Sequence, residues 1–382
     1  MKTFLVNFSR FFVGLLFIFS GVIKMNDPVG FSFKLDEYFG EDVLNLTFLQ
    51  PLALYLAVLI VIYEVILGVT LLLGVWKKIT LTSLAGMMAF FTFLTFYSAY
   101  YEKVTDCGCF GDAIPLEPWE SFGKDVILSI LIAILIWGRN SIEPFLSIRI
   151  NRVIIALGLI ASVSFSYFVL NHLPVWDFRA YKPGTDVSEA MMSAEELGLD
   201  PPVYETYYTM KGGDDESFEI SGTDYIKEKL WEKDFTIDPD GTFSKKISDG
   251  YEPPIHDFTI NINGTDQTQE YVSGDVIWLV AYDFNKANYS ELKRLTKELS
   301  NYSQKSDFKV VGMTSSSDED ISKLMNETSC SFPWAVMDGT ALKTINRSNP
   351  GVTILKNGVI INHFHFNDAV FNSKGAESYF PE

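Results

Sequence analysis

A chain of 382 residues has room for two domains, and with 48 Asp and Glu against 30 Lys and Arg it carries a formal net charge of −18. The charge is uneven: residues 1–170 hold 11 basic and 13 acidic side chains among long apolar runs, whereas residues 171–382 hold 19 and 35 in ordinary soluble sequence. Such an acidic second half argues against nucleic acid and against docking of that half on anionic headgroups, both of which want a basic face, and three cysteines are too few for a disulfide-stapled scaffold.

The first apolar run follows Lys2 in the manner of a secretion signal. The small-residue cleavage site that such signals need does not follow Ser20-Gly21-Val22-Ile23-Lys24, so the run reads as an uncleaved span. Spans need about 20 mostly apolar residues, and five segments qualify: roughly 5–23, 52–75, 79–100, 123–138 and 152–170, the fourth being the shortest. Lys77 and Lys78 fill one connection and Arg139, Arg149 and Arg152 another, which assigns both to the cytoplasmic side. The connections 24–51 and 101–122 are acidic and fall outside, with everything after His172.

Arg10 and Glu64 would stand at membrane depth, where a lone charge is costly. They read either as a buried pair or a proton or quinone site, or as packed structural groups. Gly14, Gly21, Gly68 and Gly74 fit close helix packing. Tyr97, Tyr100, Tyr101, Trp119 and Trp137 fit aromatic belts.

Between the third and fourth spans lies Asp106-Cys107-Gly108-Cys109-Phe110-Gly111. A glycine between two cysteines lets the backbone fold tightly enough for the sulfurs to meet, giving a strained and reducible bridge. Three chemistries stay open: a reversible thiol pair, a structural staple, and a metal site joined by His363 and His365. Histidines alternating along a strand share a face for ordinary reasons, and no metal is assigned. Asp106 and Asp112 would raise the thiol pKa, and Lys103 and Lys124 would offset them.

Arg10 to Lys24, with Asp27-Pro28 and a Phe-rich amphipathic stretch to Tyr38-Phe39, resembles the opening of the DoxX family. Tyr63-Glu64 with Gly68, then Cys107-Gly108-Cys109-Phe110-Gly111, is similar to the MauE (methylamine-utilisation) branch. The resemblance covers about residues 4–140 and implies a bacterial membrane helper of disulfide formation or electron transfer. Most such proteins lack the large appended domain present here.

Trp176 to Gly184 reads as an ordered extended exit from the membrane. Alternation over Val203–Met210, a turn at Lys211–Asp215 and Ser217–Ile220 predict a β-hairpin. Pro253-Pro254 marks the start of the last domain. There 276–282, 308–313, 334–337 and 352–355 with 359–361 read as strands and 289–299 and 318–328 as helices. Ser348-Asn349-Pro350-Gly351 before a strand resembles the cis-proline turn of thioredoxin-like proteins. The family's Cys-x-x-Cys position instead holds Phe284-Asn285-Lys286-Ala287, so the domain reads as a degenerate binding module. Cys330 is a candidate partner for the membrane loop, or a buried small hydrophobe beside Phe332-Pro333-Trp334.

The expectation is a helical membrane bundle of about five spans over 1–172, a connecting segment over 173–254 and a thioredoxin-like α/β domain over 255–382. The bundle would sit in a bacterial inner membrane, with its N-terminus cytoplasmic and the loop and last domain periplasmic. The expected chemistry is thiol–disulfide exchange through Cys107 and Cys109, with Cys330 and Glu64 as further candidates and a membrane quinone as the candidate carrier. The lipid bilayer and an unknown envelope protein are the expected partners. The alternative is a non-catalytic scaffold whose degenerate domain binds that protein.

Overall fold

The computed structural model describes residues 2–101, 103–104, 108, 110–212, 217–233, 235–256 and 258–371. The chain forms two compact units: Met1–Thr185 together with Thr259–Glu382, and Asp186–Phe258.

Six helices open the first unit: α1 (Lys2–Asn26), α2 (Pro28–Phe39), α3 (Ala53–Leu73), α4 (Lys77–Tyr101), α5 (Pro118–Trp137) and α6 (Ile148–Asn171). Helices α1 and α3 approach closely because glycines leave the space. A Cβ at Gly14 would stand 2.6 Å from the Leu72 side chain, and one at Gly68 2.7 Å from the Gly14 carbonyl oxygen. Around this contact Val13, Phe17, Leu71, Leu84, Ile132 and Leu135 form an apolar core. The outer faces are apolar too, with Phe4, Leu15, Leu59, Ile130 and Ile160 exposed. A bundle apolar both inside and out suits lipid rather than water.

Four helical stretches, Lys2–Asn26, Thr47–Leu73, Lys77–Tyr101 and Ile148–Asn171, are long and apolar enough to cross a membrane. Of the five expected spans, α5 is not among these four: it has the length but carries Glu120, Lys124 and Asp125 among its 20 residues. Helix α2 starts at once after α1, since Pro28 occupies its first turn and the Asp27 side chain accepts the Gly30 N–H at 2.8 Å. Gly74 ends α3 at φ 70, where any Cβ would meet the Arg10 guanidinium and the Glu143 carbonyl.

The last part of this unit is a mixed α/β layer. It contains β4 (Asn261–Ile262), β5 (Thr265–Asp266), α10 (Thr268–Val272), β6 (Val276–Val280), α11 (Tyr289–Ser303) and β7 (Lys309–Thr314). It continues with α12 (Asp318–Thr328), β8 (Trp334–Val336), α13 (Gly339–Ile345), β9 (Gly351–Lys356) and β10 (Val359–His365). The sheet order is β10-β9-β6-β7-β8-β4-β5. Strands β6, β7 and β8 run parallel, and β9 returns antiparallel to β6. Strand β6 is buried throughout, and Leu292, Leu295 and Leu299 of α11 pack on the sheet at helical spacing.

The second unit holds α7 (Val187–Ala190), α8 (Ala194–Leu197) and α9 (Gly222–Lys227) with a sheet of order β2-β1-β3. Its strands are β1 (Val203–Lys211), β2 (Ser217–Ser221) and β3 (Thr236–Ser248), all antiparallel. Tyr207 stacks on Phe243 across β1 and β3 at 5.5 Å.

Candidate functional site

The exit segment after α6 is tied back to the end of α1 by one side chain. Asn26 accepts the N–H groups of Val175 and Trp176 at 2.9 and 3.0 Å and donates to the Trp176 carbonyl at 2.7 Å. A few residues on, buried Arg179 pairs with Asp177 and donates to the Thr344 and Ile345 carbonyls at the end of α13. Burial alone would push the Asp177 carboxyl up, but the Arg179 guanidinium holds it below the usual carboxylate range.

Arg347 completes the attachment. Its Nε donates to Asp27 at 2.7 Å and one terminal nitrogen to Asp112 at 2.8 Å, while the other reaches the Lys343 carbonyl at 2.6 Å. Burial would lower the pKa of this guanidinium, but Asp27 and Asp112 raise it, so it stays charged. Arg347 thus links the last domain to the cap of α2 and to the loop that follows the cysteine pair. Beside it, Phe33 of α2 meets Tyr282 edge-on at 5.9 Å and lies under Lys343 at 4.9 Å.

These contacts enclose a crevice of about 590 Å³. Its walls include Lys24, Asp27, Phe33, Lys34, Gly108, Asp112, Arg179 and Arg347. A second, smaller cavity of about 40 Å³ lies inside the bundle, lined by Ser20, Lys24, Glu64, Thr95, Gly108, Phe110, Lys124 and Asp125. Gly108 belongs to both walls, at φ +65. The inner cavity holds two ion pairs, Lys24–Glu64 at 2.5 Å and Lys124–Asp125 at 2.7 Å, and Thr95 donates to Asp125 at 3.1 Å. The Lys124 ammonium also sits 5.2 Å over the buried Phe110 ring.

Cys107 and Cys109 lie outside the described residues; their chain neighbours Gly108 and Phe110 do not. Glu64 is buried and paired with Lys24, not with Arg10. Arg10 instead donates to the Leu71, Leu72 and Glu143 carbonyls, which closes the end of α3. Cys330 is not brought to the loop. It precedes β8, at the end of the sheet where the parallel strands begin, whereas Tyr282 and α13 follow the ends where they finish. Its thiol donates to the Phe332 carbonyl at 3.3 Å, and burial pushes its pKa up. His363 donates through Nε2 to the Tyr181 carbonyl at 2.6 Å and receives the Thr353 hydroxyl on Nδ1 at 2.8 Å. Among the described residues no group of metal-ligating side chains is gathered. Sequence reasoning did not single out Lys24, Asp27 or Arg347 as site residues; the available signal was a lysine closing an apolar run just before Asp-Pro.

Fold and site define a protein with helices of membrane-spanning type and a mixed α/β domain fastened over a cysteine-bearing loop. Residues 2–138 match the family described as Methylamine utilisation protein MauE. Over 166 residues the chain is 24% identical to Protein TlpB of Flavobacterium psychrophilum, an alignment covering 42% of this chain and 43% of that one. The chain therefore spans less than half the length of this curated relative. No solved structure matches.

Proposed function

We propose that this is a bacterial inner-membrane thiol–disulfide exchange protein whose working pair is Cys107 and Cys109. The observation that carries the reading is the place of Gly108: the residue between the two cysteines lines both the open crevice and the polar cavity in the bundle. The MauE match over residues 2–138 supports it, since the family resemblance implies disulfide or electron-transfer work.

In the reducing direction, one thiolate of the pair attacks a disulfide of an envelope protein in the crevice. A mixed disulfide forms and one partner sulfur leaves as thiolate. The second cysteine then attacks its neighbour, closing the Cys107–Cys109 bridge and releasing the other partner sulfur as thiolate. Two electrons have passed to the partner, and the reverse sequence oxidises it. The inner cavity, at about 40 Å³, has room for a few waters at about 10–15 Å³ each. The pair is then reset by an electron carrier, a membrane quinone or a second thiol protein, that takes up or returns the two electrons.

The last domain supports this role as a fixed cover. Its parallel strands, its returning hairpin and its cis Asn349-Pro350 bond resemble a thioredoxin-like fold. Where such a fold would carry its cysteines, it has Phe284-Asn285-Lys286-Ala287, and the neighbouring Tyr282 packs on Phe33. That contact also favours the second reading, a scaffold whose cysteines are a staple. The loop and the cover lie on the periplasmic side, because the opposite end of the bundle holds Lys77, Lys78, Arg139, Arg149 and Arg152.

The test is redox titration of the pair in native membranes, by acid-quenched alkylation and mass spectrometry. The expected midpoint lies within roughly −120 to −270 mV, the range of exchange catalysts. A bridge that stays closed well below about −300 mV is a staple. That outcome gives way to the scaffold reading, in which serine at both positions leaves partner binding intact.

A further inference from the structure

The end of the bundle away from the crevice has a third cavity. It holds about 250 Å³ and lies between the α3–α4 turn and the start of α6, with a floor of Val75, Leu146, Ile148 and Ile155. Two cations, Lys77 and Arg152, stand in its wall. Neither has an ion-pair partner among the described residues. The amides of two long helices start here, α4 at Lys77 and α6 at Ile148, and the Ser147 side chain does not cap the second. Uncapped N–H groups at a helix start attract an anion. Asn151, also in the wall and 1% exposed, has an Oδ1 with no hydrogen-bond partner, its Nδ2 being committed to the Leu146 carbonyl at 3.0 Å. An unpaired buried acceptor is costly and points to a missing donor.

We propose that this cavity binds an anionic glycerophospholipid. The phosphate sits at the start of α6 between Lys77 and Arg152, the glycerol hydroxyls of the headgroup supply the donor that Asn151 lacks, and the acyl chains leave along Ile148 and Ile155. Lipid rather than free phosphate is the ligand because the floor is apolar and the cavity lies at the end of helices long enough to span a bilayer. The surrounding field agrees: over segments 2–6, 74–80 and 138–153, Lys2, Lys77, Lys78, Arg139, Arg149 and Arg152 stand against Glu143.

The test is native mass spectrometry of the full chain in detergent, titrated with dioleoylphosphatidylglycerol, dioleoylphosphatidylcholine or inorganic phosphate. Phosphatidylglycerol should bind one-to-one and raise the melting temperature, and the other two should not. The pair Lys77→Gln with Arg152→Gln should weaken that binding about thirtyfold, the ordinary worth of two cations at a membrane surface. The pair Lys78→Gln with Arg149→Gln removes the same charge outside the cavity and should leave binding within about threefold, because charges off the site act only through a screened field. Equal losses in the two pairs would reduce the effect to diffuse attraction and overturn the site. Competition by inorganic phosphate, or equal binding of phosphatidylcholine, would overturn the lipid assignment. Asn151→Leu provides a second check: its folded fraction should bind phosphatidylglycerol more weakly, whatever the loss of the Nδ2 bond to the Leu146 carbonyl does to its melting temperature, and unchanged binding would remove Asn151 from the site.

Discussion

A guanidinium held by two carboxylates from different parts of the chain resists replacement. The Arg347 side chain is 8% exposed, with Asp27 on one side and the exposed Asp112 on the other. Removing the guanidinium leaves Asp27 and Asp112 without their counter-charge, at a cost below the about 3–5 kcal/mol of a fully buried pair because both carboxylates reach water. Arg347→Gln should therefore loosen the last domain from α2 and from the loop after Cys109. The measurement is alkylation of Cys107 and Cys109 in the reduced protein, where the variant should react faster than wild type while retaining its helical circular dichroism. Arg347→Lys should recover only part of the protection, since an ammonium does not reproduce the fork that reaches Asp27, Asp112 and the Lys343 carbonyl together. An unchanged alkylation rate in Arg347→Gln would separate the arginine from the loop.

At the scale of elements, the contact between α1 and α3 decides where Lys24 meets Glu64. Both helices depend on glycine there, and a methyl at Gly68 would press on the Gly14 carbonyl oxygen and on Ile18. Overpacking of this kind costs about 1–3 kcal/mol. Gly68→Ala should lower the melting temperature of the detergent-solubilised protein, whereas Gly86→Ala, where nothing lies within 4 Å of the added carbon, should not. Equal melting of the two variants would remove the close approach from the account. The same scale explains why α5 stands apart from the other long helices. Lys124 and Asp125 make this helix too polar to be counted as a span by composition. Folded, they pair with each other and turn toward Thr95 and Phe110, facing the bundle interior.

On the scale of the whole molecule, the fit of the exit segment to the sheet is sensitive to pH through His363. This imidazole is buried between the Tyr181 carbonyl and the Thr353 hydroxyl. Burial lowers its pKa to about 4, and Arg179 adds to that effect while Asp177 opposes it. The unfolded chain takes up the proton near its ordinary value, so between about 6.5 and 4 the unfolded state binds more protons than the folded one. Stability is then full above about pH 6.5 and falls as the pH drops, by up to about 1.4 kcal/mol per unit for this group. The expected result is a melting temperature that declines from pH 6.5 to 4.5, with a shallower decline in His363→Gln; parallel curves would exclude His363 as the source.

Length and hydropathy sufficed to divide the chain into spanning helices and an acidic soluble part, because a helix needs a set number of apolar residues to cross lipid whatever its neighbours do. The alternation of buried strands and amphipathic helices over 276–361 was equally legible, since β6 and α11 write their burial into local periodicity. Partners distant in the chain were not. Glu64 looked like a companion for Arg10, both being charges in apolar runs, yet the helices bring it to Lys24 and leave Arg10 to three backbone carbonyls. Cys330 was a candidate for the loop until the strand directions set it at the other end of the sheet. Arg347 and Asp112 are 235 residues apart, and no local pattern pairs them. Spans and strands follow from each segment's own free energy of transfer and pairing. The crevice, the polar cavity and the clamp follow from which segments lie side by side, and that was decided only when the bundle closed and the sheet was laid against it.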